Sequence, residues 1–259
     1  MLKMKKLTIK EVKERLQVIE SKDDPFFKEL EMDERKGVLS AIKQWQRNLD
    51  AIELLKEKYQ QMSRFENEAR LAGFEIVAGI DEVGRGPLAG PVVAAAVILD
   101  PEQPILGLDD SKKISEKKRN ELVTEINEKA IAVAIGSAST DEIDQLNILQ
   151  ATKLAMSRAV NQLEVQPAFL LVDAETINLP IAQKAIIKGD SNSNSIAAAS
   201  IIAKVARDEL MALYDEKYPG YEFKNNVGYG TKAHLEGLEN YGPSPIHRKT
   251  FAPVKNYLK

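Results

Sequence analysis

Residues 75–99 constrain the fold of this chain more than any other stretch. An apolar run over 76–80 is followed by two adjacent carboxylates, Asp81 and Glu82. A turn rich in glycine and proline comes next, and a second apolar run covers 92–99. Short apolar runs bounded by Gly and Pro are typical of buried strands. The stretch therefore predicts two core strands, with a pair of carboxylates where the first strand ends.

The glycine turn also fits a dinucleotide-binding fingerprint, G-x-G-x-x-A, at Gly84, Gly86 and Ala89. That fingerprint requires a helix directly after the turn. Here Pro87, Pro91 and an apolar run follow, which indicate a strand and exclude dinucleotide binding. Spacing alone leaves two interpretations open for the carboxylate pair, a polar turn between core strands or a functional site.

The rest of the chain divides into a helical part and a part that mixes strands with helices. The pattern of residues 1–72 predicts only helices. The longest predicted helix covers 34–72, where apolar residues recur at spacings of three and four. Residues 73–259 predict strands first and then strands alternating with helices, one helical region covering 140–163. This pattern predicts an α/β domain with a mixed sheet, preceded by an all-α extension of about 70 residues.

The long N-terminal helix has two possible roles. Its apolar stripe could pack on the short helices before it, for which Thr8 and Asp24 are the expected N-caps. Alternatively, the helix could be a docking arm that contacts substrate or a protein partner. The sequence leaves both interpretations open.

Four acids recur at the predicted ends of strands or starts of helices. Asp81 and Glu82 follow one strand, Asp173 follows another, and Asp190 precedes a helix. Each alone is an ordinary turn or cap residue, but four like charges that converge need bound cations. The chain has no cysteine and only two histidines, so a metal site must be built mainly from oxygen ligands, which favours Mg²⁺ or Mn²⁺. Such clusters are typical of two-metal phosphodiester hydrolysis.

Charge and hydropathy set further bounds. The net charge of −3 does not indicate nucleic-acid binding, although the tail from residue 217 onward is basic. No apolar run is long enough to span a membrane, and the first residues lack the apolar core of a signal peptide. We therefore expect a cytoplasmic protein that does not contact a membrane, and we expect a monomer.

Six motifs in the same order make the chain similar to a known family over about residues 72–252. They are D-E-V-G-R-G-P-L-A-G-P-V, D-D-S-K-K-I-S, N-I-L-Q-A-T-K-L-A-M, L-V-D-A-E, K-G-D-S-N-S-N-S-I-A-A-A-S-I-I-A-K-V-A-R-D and G-Y-G-T-K-A-H. Together they resemble bacterial ribonuclease HII, the type 2 ribonuclease H. The tail G-P-S-P-I-H-R-K-T-F also looks like that family. The resemblance does not cover residues 1–70, whose role stays open.

The resemblance implies a ribonuclease-H-like mixed five-stranded sheet flanked by helices. It also implies endonucleolytic cleavage of RNA in RNA–DNA hybrids and of single ribonucleotides in duplex DNA, with two Mg²⁺ or Mn²⁺ ions per site. By motif, the catalytic and metal-binding carboxylates are Asp81, Glu82, Asp173 and Asp190.

The resemblance assigns substrate contacts as well. The loop that senses the ribose 2′-hydroxyl corresponds to Gly84, Arg85 and Gly86, and the tyrosine at the RNA-to-DNA junction corresponds to Tyr229. Glycines let the backbone approach a sugar closely, and the 2′-hydroxyl is the group that distinguishes RNA from DNA. A further set of side chains could contact phosphates. These are Ser111, Lys112, Lys204 and Lys232.

Two other functions compete with this one. The chain could be a nucleic-acid-binding scaffold with an inert acid cluster, in which the long N-terminal helix carries the function. It could also be another nuclease of the same broad fold, such as a resolvase. The four intact acids argue against the first alternative, and the glycine-arginine-glycine loop with Tyr229 argues against the second.

Overall fold

The computed structural model describes residues 7–258, which form two compact units that divide between Lys58 and Tyr59. The sequence predicted a boundary at residue 72 instead, from the change in composition. In the structure, residues 59–71 belong by their contacts to the unit that contains the sheet. The functional boundary at residue 72 stays a prediction.

The first unit consists of helices whose starts follow from the sequence. Helix α1 spans Ile9–Leu16, α2 spans Pro25–Leu30 and α3 spans Lys36–Met62, continuing past the division. Thr8 and Asp24 cap α1 and α2 as predicted. The first half of the α3 stripe packs on the two short helices, and Trp45 Nε1 donates to the Ile19 carbonyl at 3.2 Å. Further along α3, Ile52 and Leu55 are exposed, so packing explains only part of the stripe.

The prediction of one helix over 34–72 was wrong in one respect, because the helix is interrupted at Ser63. Helix α4, Arg64–Leu71, follows as a separate element. The Ser63 hydroxyl donates to the carbonyl of Tyr59 at 2.8 Å, and this side-chain bond competes with the helical ladder.

The second unit is built on a mixed five-stranded sheet, as predicted. Its strands are β1 (Val77–Val83), β2 (Val92–Ile98), β3 (Ala132–Ala138), β4 (Phe169–Asp173) and β5 (Ala182–Ile186). They lie in the order β3-β2-β1-β4-β5. The first three strands along the chain pair antiparallel, whereas β4 pairs parallel to both β1 and β5. The sequence placed the carboxylate pair where the first strand ends, but β1 continues to Val83, so both Asp81 and Glu82 lie within it.

Helices cover both faces of the sheet. The α-helices after β2 are α5 (Glu116–Lys129), α6 (Thr140–Leu146), α7 (Ile148–Asn161), α8 (Asn194–Lys217), α9 (Phe223–Asn226) and α10 (Lys232–Tyr241). Helices α6 and α7 pack on one face and α5 and α8 on the other, whereas α9 and α10 belong to a separate hydrophobic cluster. The predicted helical region over 140–163 is two helices, because Asn147 adopts a left-handed φ of 70° and caps α7. Residues alternate along β2, so Ala94 packs with α7 on one face and Ala95 packs with α8 on the other.

Glycine brings α8 against the sheet. A Cβ atom built on Gly79 of β1 would lie 2.1 Å from the backbone carbon of Ser195, in the first turn of α8. Only a residue without a side chain permits this approach. The start of α8 is thereby held beside the strand that carries the carboxylate pair. Within the part of the chain that the structure describes, no helix is both long and apolar enough to cross a membrane.

Candidate functional site

Three of the predicted carboxylates converge at one edge of the sheet. Asp81 and Glu82 lie in β1, and Asp173 is the last residue of β4. These strands are parallel neighbours in which Ile80 pairs with Val172, so their carboxyl ends meet at the same place. One carboxylate oxygen from each of the three acids lies within 4.8 Å of the other two. Asp81 is buried, and the other two are partly buried.

Asp190, the fourth predicted acid, does not join this group of three. It lies in the 3-10 turn Gly189–Ser191 that precedes α8. The turn is nevertheless tied to the cluster, because the Gly189 amide donates to Asp173 Oδ1 at 2.6 Å. Burial raises the pKa of Asp190, and the charges of Asp110 and Asp173 raise it further. The structure therefore places Asp190 beside the cluster, outside the 4.8 Å group.

The electrostatics of the site indicate a deficit of positive charge. Burial raises the pKa of Asp81 well above its usual range, and the charge of Glu82 raises it further. Burial also raises the pKa values of Glu82, Asp173 and Asp190, and for Glu82 the Arg85 guanidinium opposes the shift. Carboxylates in this state favour a cation that would keep them ionised.

The donor set fits a hard divalent cation. Glu82 Oε2 is buried and has no hydrogen-bond partner. An uncompensated buried carboxylate oxygen is unfavourable unless a cation binds it. All the candidate ligands in this cluster are carboxylate oxygens, which Mg²⁺ and Mn²⁺ prefer. The residues therefore fit a divalent ion of the kind that the resemblance implies.

The glycine-arginine-glycine turn follows β1 directly and adjoins Tyr229. Gly84 has a φ of +94°, and a Cβ built on it would lie 2.2 Å from Nε of the buried Arg207. Arg85 Nη1 lies 3.2 Å from Glu82 Oε1. A Cβ built on Gly86 would be in contact with the Tyr229 ring at 3.4 Å. The structure thus brings together the loop and the tyrosine that the motifs assigned to the substrate.

The residues predicted to contact phosphates occupy different environments. Ser111 is buried and accepts a hydrogen bond from the Ser200 hydroxyl at 3.0 Å. Lys112 is exposed, and its charge partly opposes the rise that burial causes in the pKa values of Asp173 and Asp190. Lys112 is therefore the predicted lysine that the structure places near the acids.

The other two lysines have partners on their own helices. Lys204 Nζ lies 2.7 Å from Asp208 Oδ1, and the pair is partly buried. Lys232 Nζ is highly exposed and lies 3.6 Å from Glu236 Oε1. Contact of Ser111, Lys112, Lys204 or Lys232 with substrate stays a prediction.

Glu66 supports the start of α8 and was missed in the sequence. Its Oε1 accepts hydrogen bonds from the Ser193 hydroxyl at 2.6 Å, the Ser195 amide at 2.9 Å and the Ser195 hydroxyl at 2.7 Å. A buried carboxylate at a helix N-terminus satisfies free amides and interacts favourably with the helix dipole. The turn that carries Asp190 immediately precedes this helix start. Glu66 occurs in a helix rich in charged residues, so no local signal distinguishes it.

The two histidines are also structural, and together they hold the backbone of Tyr229. The Tyr229 carbonyl can only accept, so His234 Nδ1, 2.9 Å away, carries a proton. His247 Nδ1 accepts from the Ser244 amide at 2.9 Å, which leaves the proton on its Nε2. That Nε2 donates to His234 Nε2 at 2.9 Å. The chain of bonds is complete only when both rings are neutral.

This histidine pair predicts acid sensitivity of the fold. Burial lowers the pKa of both rings from 6.5, and with the charge of His234 it lowers the pKa of His247 to about 4. Below pH 6.5 the unfolded chain therefore binds protons that the folded protein does not bind, so stability falls as pH falls. For His247 alone we expect a loss of roughly 2 kcal/mol between pH 7 and pH 5.

Denaturant unfolding at both pH values measures this loss, with the double variant His234→Phe, His247→Phe as the control. The control should be less stable at pH 7 but should lose less stability on acidification. The comparison cancels the contribution of the carboxylates, which both proteins share. Equal pH slopes in the two proteins would contradict the assignment of neutral rings.

Comparisons with known proteins agree with the site. The family model described as ribonuclease HII matches residues 78–254, and the model described as the ribonuclease HII N-terminal domain matches residues 8–70. The ribonuclease HII of Enterococcus faecalis is 54% identical over 255 residues, covering 98% of this chain and 100% of the relative. That of Bacillus subtilis is 52% identical over 254 residues, covering 98% and 100%.

A solved structure agrees as well. The crystal structure of ribonuclease H2 from Pyrococcus horikoshii is 28% identical and has a TM-score of 0.58, covering 70% of this chain and 96% of that one. A separate family model matches the N-terminal helices. The chain therefore belongs to the ribonuclease HII family and is a ribonuclease H, an endonucleolytic phosphodiester hydrolase.

Proposed function

We propose that this chain cleaves the RNA strand of RNA–DNA hybrids and cuts duplex DNA on the 5′ side of single embedded ribonucleotides. The products would carry 3′-hydroxyl and 5′-phosphate ends. The observation that supports this most strongly is the convergence of carboxylate oxygens from Asp81, Glu82 and Asp173 within 4.8 Å. Their raised pKa values and the unpartnered Glu82 Oε2 favour a cation-dependent site.

The carboxylates would hold the metal. We propose that Asp81, Glu82, Asp173 and Asp190 bind two Mg²⁺ or Mn²⁺ ions beside the scissile phosphate. Ions held there would supply activation of the attacking water and stabilisation of the leaving oxygen. The Gly189 amide fixes one oxygen of Asp173, which leaves the other free to act as a ligand.

The turn after β1 would select the sugar. The backbone of Gly84, Arg85 and Gly86 can offer hydrogen-bond donors to a ribose 2′-hydroxyl without reading the base. The exposed Tyr229 ring beside Gly86 would then pack on the next sugar, where the absence of a 2′-hydroxyl favours a deoxynucleotide. Lys112 and the buried Ser111 are the phosphate contacts that we propose nearest the acids.

Incubation of the full-length chain with a labelled RNA–DNA hybrid tests the proposed activity. The reaction should proceed with Mg²⁺ or Mn²⁺ and stop with a chelator. Single-stranded RNA and an all-DNA duplex are the matched controls, and both should stay intact. Cleavage of the all-DNA duplex would favour a general nuclease, and an intact hybrid under every metal would contradict the proposal.

The N-terminal segment is proposed to serve two roles that divide near residue 58. Residues 59–71 support the site, since Glu66 binds the α8 start and Asn194 Nδ2 donates to the Tyr59 carbonyl at 2.8 Å. Residues before 58 would be an accessory that contacts substrate or a protein partner. We propose a monomeric, cytoplasmic protein.

Two shortened chains distinguish these roles. A chain that begins at Tyr59 should retain cleavage of a hybrid. A chain that begins at Gly73 should lose roughly 3 kcal/mol or more of stability, because several hydrogen bonds to the buried Glu66 disappear. Thermal unfolding and hybrid cleavage measure both effects. Equal behaviour of the two chains would contradict a supporting role for residues 59–71.

A further inference from the structure

Arg248 is a buried cation bound to the turn that the proposed function assigns to sugar selection. Its side chain is fully buried. The guanidinium donates to the carbonyls of Arg85 at 2.8 Å and Gly90 at 2.9 and 3.0 Å, and closely to that of Gly84. All four of these hydrogen bonds go to backbone carbonyls within one short segment.

This arrangement is electrostatically unfavourable for the fold. Burial, together with the nearby charge of Arg207, lowers the pKa of Arg248 to about 9. An ion removed from water loses several kcal/mol of solvation, and apolar residues of similar volume often serve stability as well or better. What apolar residues cannot do is bind three carbonyls at once in a fixed, planar geometry. The geometry of the turn is therefore the property that Arg248 specifically supplies.

The hydrogen bonds determine which way the peptide groups face. In a trans peptide unit the C=O and the N–H point in opposite directions. The carbonyls of Gly84 and Arg85 point at Arg248, so the amides of Arg85 and Gly86 must point away from it. Both of these residues are exposed, and Gly86 adjoins the Tyr229 ring. Arg248 thus orients two consecutive donors away from the protein core.

His247, which precedes Arg248 in the chain, helps to position Tyr229, the other residue that the proposed function assigns to the substrate. His247 binds His234, which binds the Tyr229 carbonyl. The backbone of the same segment is joined to the turn as well, since the Arg248 amide donates to the Leu88 carbonyl at 2.9 Å. The turn Gly84–Gly86 and Tyr229 are therefore both held by one short segment, residues 247–248.

We propose that Arg248 is a positioning residue for ribose recognition. It holds the peptide planes of Gly84–Gly86 so that the Arg85 and Gly86 amides face the sugar, at a set distance from Tyr229. This inference rests on the proposed function, because it requires that the turn reads the 2′-hydroxyl. It makes Arg248 responsible for selectivity between ribose and deoxyribose, while the carboxylates remain responsible for the cut.

Binding measurements in a cleavage-deficient background test the proposal. Full-length chain carrying Asp81→Asn is compared with the same chain carrying Arg248→Lys in addition. Fluorescence anisotropy gives the Kd for a duplex with one ribonucleotide and for the identical all-DNA duplex. We expect the Asp81→Asn chain to prefer the ribonucleotide duplex, and Arg248→Lys to reduce that preference by roughly tenfold or more, because lysine keeps the charge but loses the planar fork.

Arg207→Lys in the same background is the matched control. Arg207 is equally buried and packs against Gly84, but its hydrogen bonds go to the carbonyls of Ala89, Pro91 and Val227 and not to those of Gly84 or Arg85. The control should lose stability, measured by thermal unfolding, yet keep more of the ribose preference than Arg248→Lys. If the role of Arg248 were purely structural, both variants would lose the ribose preference to the same extent.

The outcomes separate the inference from the proposed function. An unchanged ribose preference in folded Arg248→Lys chain, or an equal loss in both arginine variants, would overturn the inference. Wild-type chain that still cuts at ribonucleotides would leave the proposed function standing in that case. Wild-type chain that fails to cut at ribonucleotides would overturn the proposed function and the inference together.

Discussion

Replacement of Asp81 by asparagine is expected to reduce cleavage of an RNA–DNA hybrid by more than about 100-fold. Loss of an outer-shell partner alone typically reduces metal affinity or activity by 10- to 100-fold, and Asp81 would bind the metal directly. Asp81 is also the buried member of the cluster, so solvent cannot easily compensate for the loss of its charge. Initial rates at saturating Mg²⁺ and Mn²⁺ measure the loss.

The same substitution should not destabilise the metal-free protein. Burial and the charge of Glu82 already raise the pKa of Asp81, so removal of the charge relieves repulsion. Asp110→Asn is the control, because the Asp110 charge raises the pKa of both Asp173 and Asp190 but Asp110 is outside the cluster of three. Its activity should stay within severalfold of wild type. Near-normal turnover by Asp81→Asn would contradict the assignment of the site.

Replacement of Gly79 by alanine is expected to have the largest effect on the fold. The new Cβ would lie 2.1 Å from the backbone carbon of Ser195 and 2.3 Å from the Ile196 amide nitrogen. Both contacts are with backbone atoms, which cannot move away by bond rotation as the end of a flexible side chain can. Helix α8 would have to move away from β1, so we expect a loss of about 3 kcal/mol or more in the free energy of unfolding. Activity should fall as well, because the turn with Asp190 leads into α8.

Gly73→Ala is the matched control for this substitution. Gly73 has a φ of +93°, but a Cβ there meets no atom within 4 Å. Its cost should be limited to backbone strain, about 1–2 kcal/mol. Urea unfolding of the two variants separates steric overlap from strain. A Gly79→Ala protein as stable as the Gly73→Ala protein would mean that α8 does not lie so close to β1.

Local patterns in the sequence predicted most of the fold. Apolar runs marked the strands, and the caps Thr8 and Asp24 marked helix starts that the structure confirms. The helix breaks at Ser63 and Asn147 were not predicted, because they lie inside continuous helical periodicity. One is accompanied by a side-chain hydrogen bond and the other by a left-handed residue, and neither changes the apolar spacing.

The site was predictable where chemistry is concentrated in a motif and unpredictable where it depends on distant contacts. Asp81, Glu82 and Asp173 follow apolar runs, so strand order brings them together. The roles of Glu66 and Arg248 depend on contacts with residues more than 120 positions away in the sequence. No local pattern distinguishes such residues from ordinary surface charges, because their burial is set by the tertiary fold.

Cleavage of an end-labelled duplex that contains one ribonucleotide in otherwise pure DNA tests the central claim most directly. The full-length chain is incubated with this duplex in Mg²⁺, in Mn²⁺ and with a chelator, and the product is sized to single-nucleotide resolution. We expect one metal-dependent cut on the 5′ side of the ribonucleotide, leaving a 3′-hydroxyl end. An intact duplex in both metals, with a long hybrid still cleaved, would contradict the junction-sensing role of Gly84–Gly86 and Tyr229.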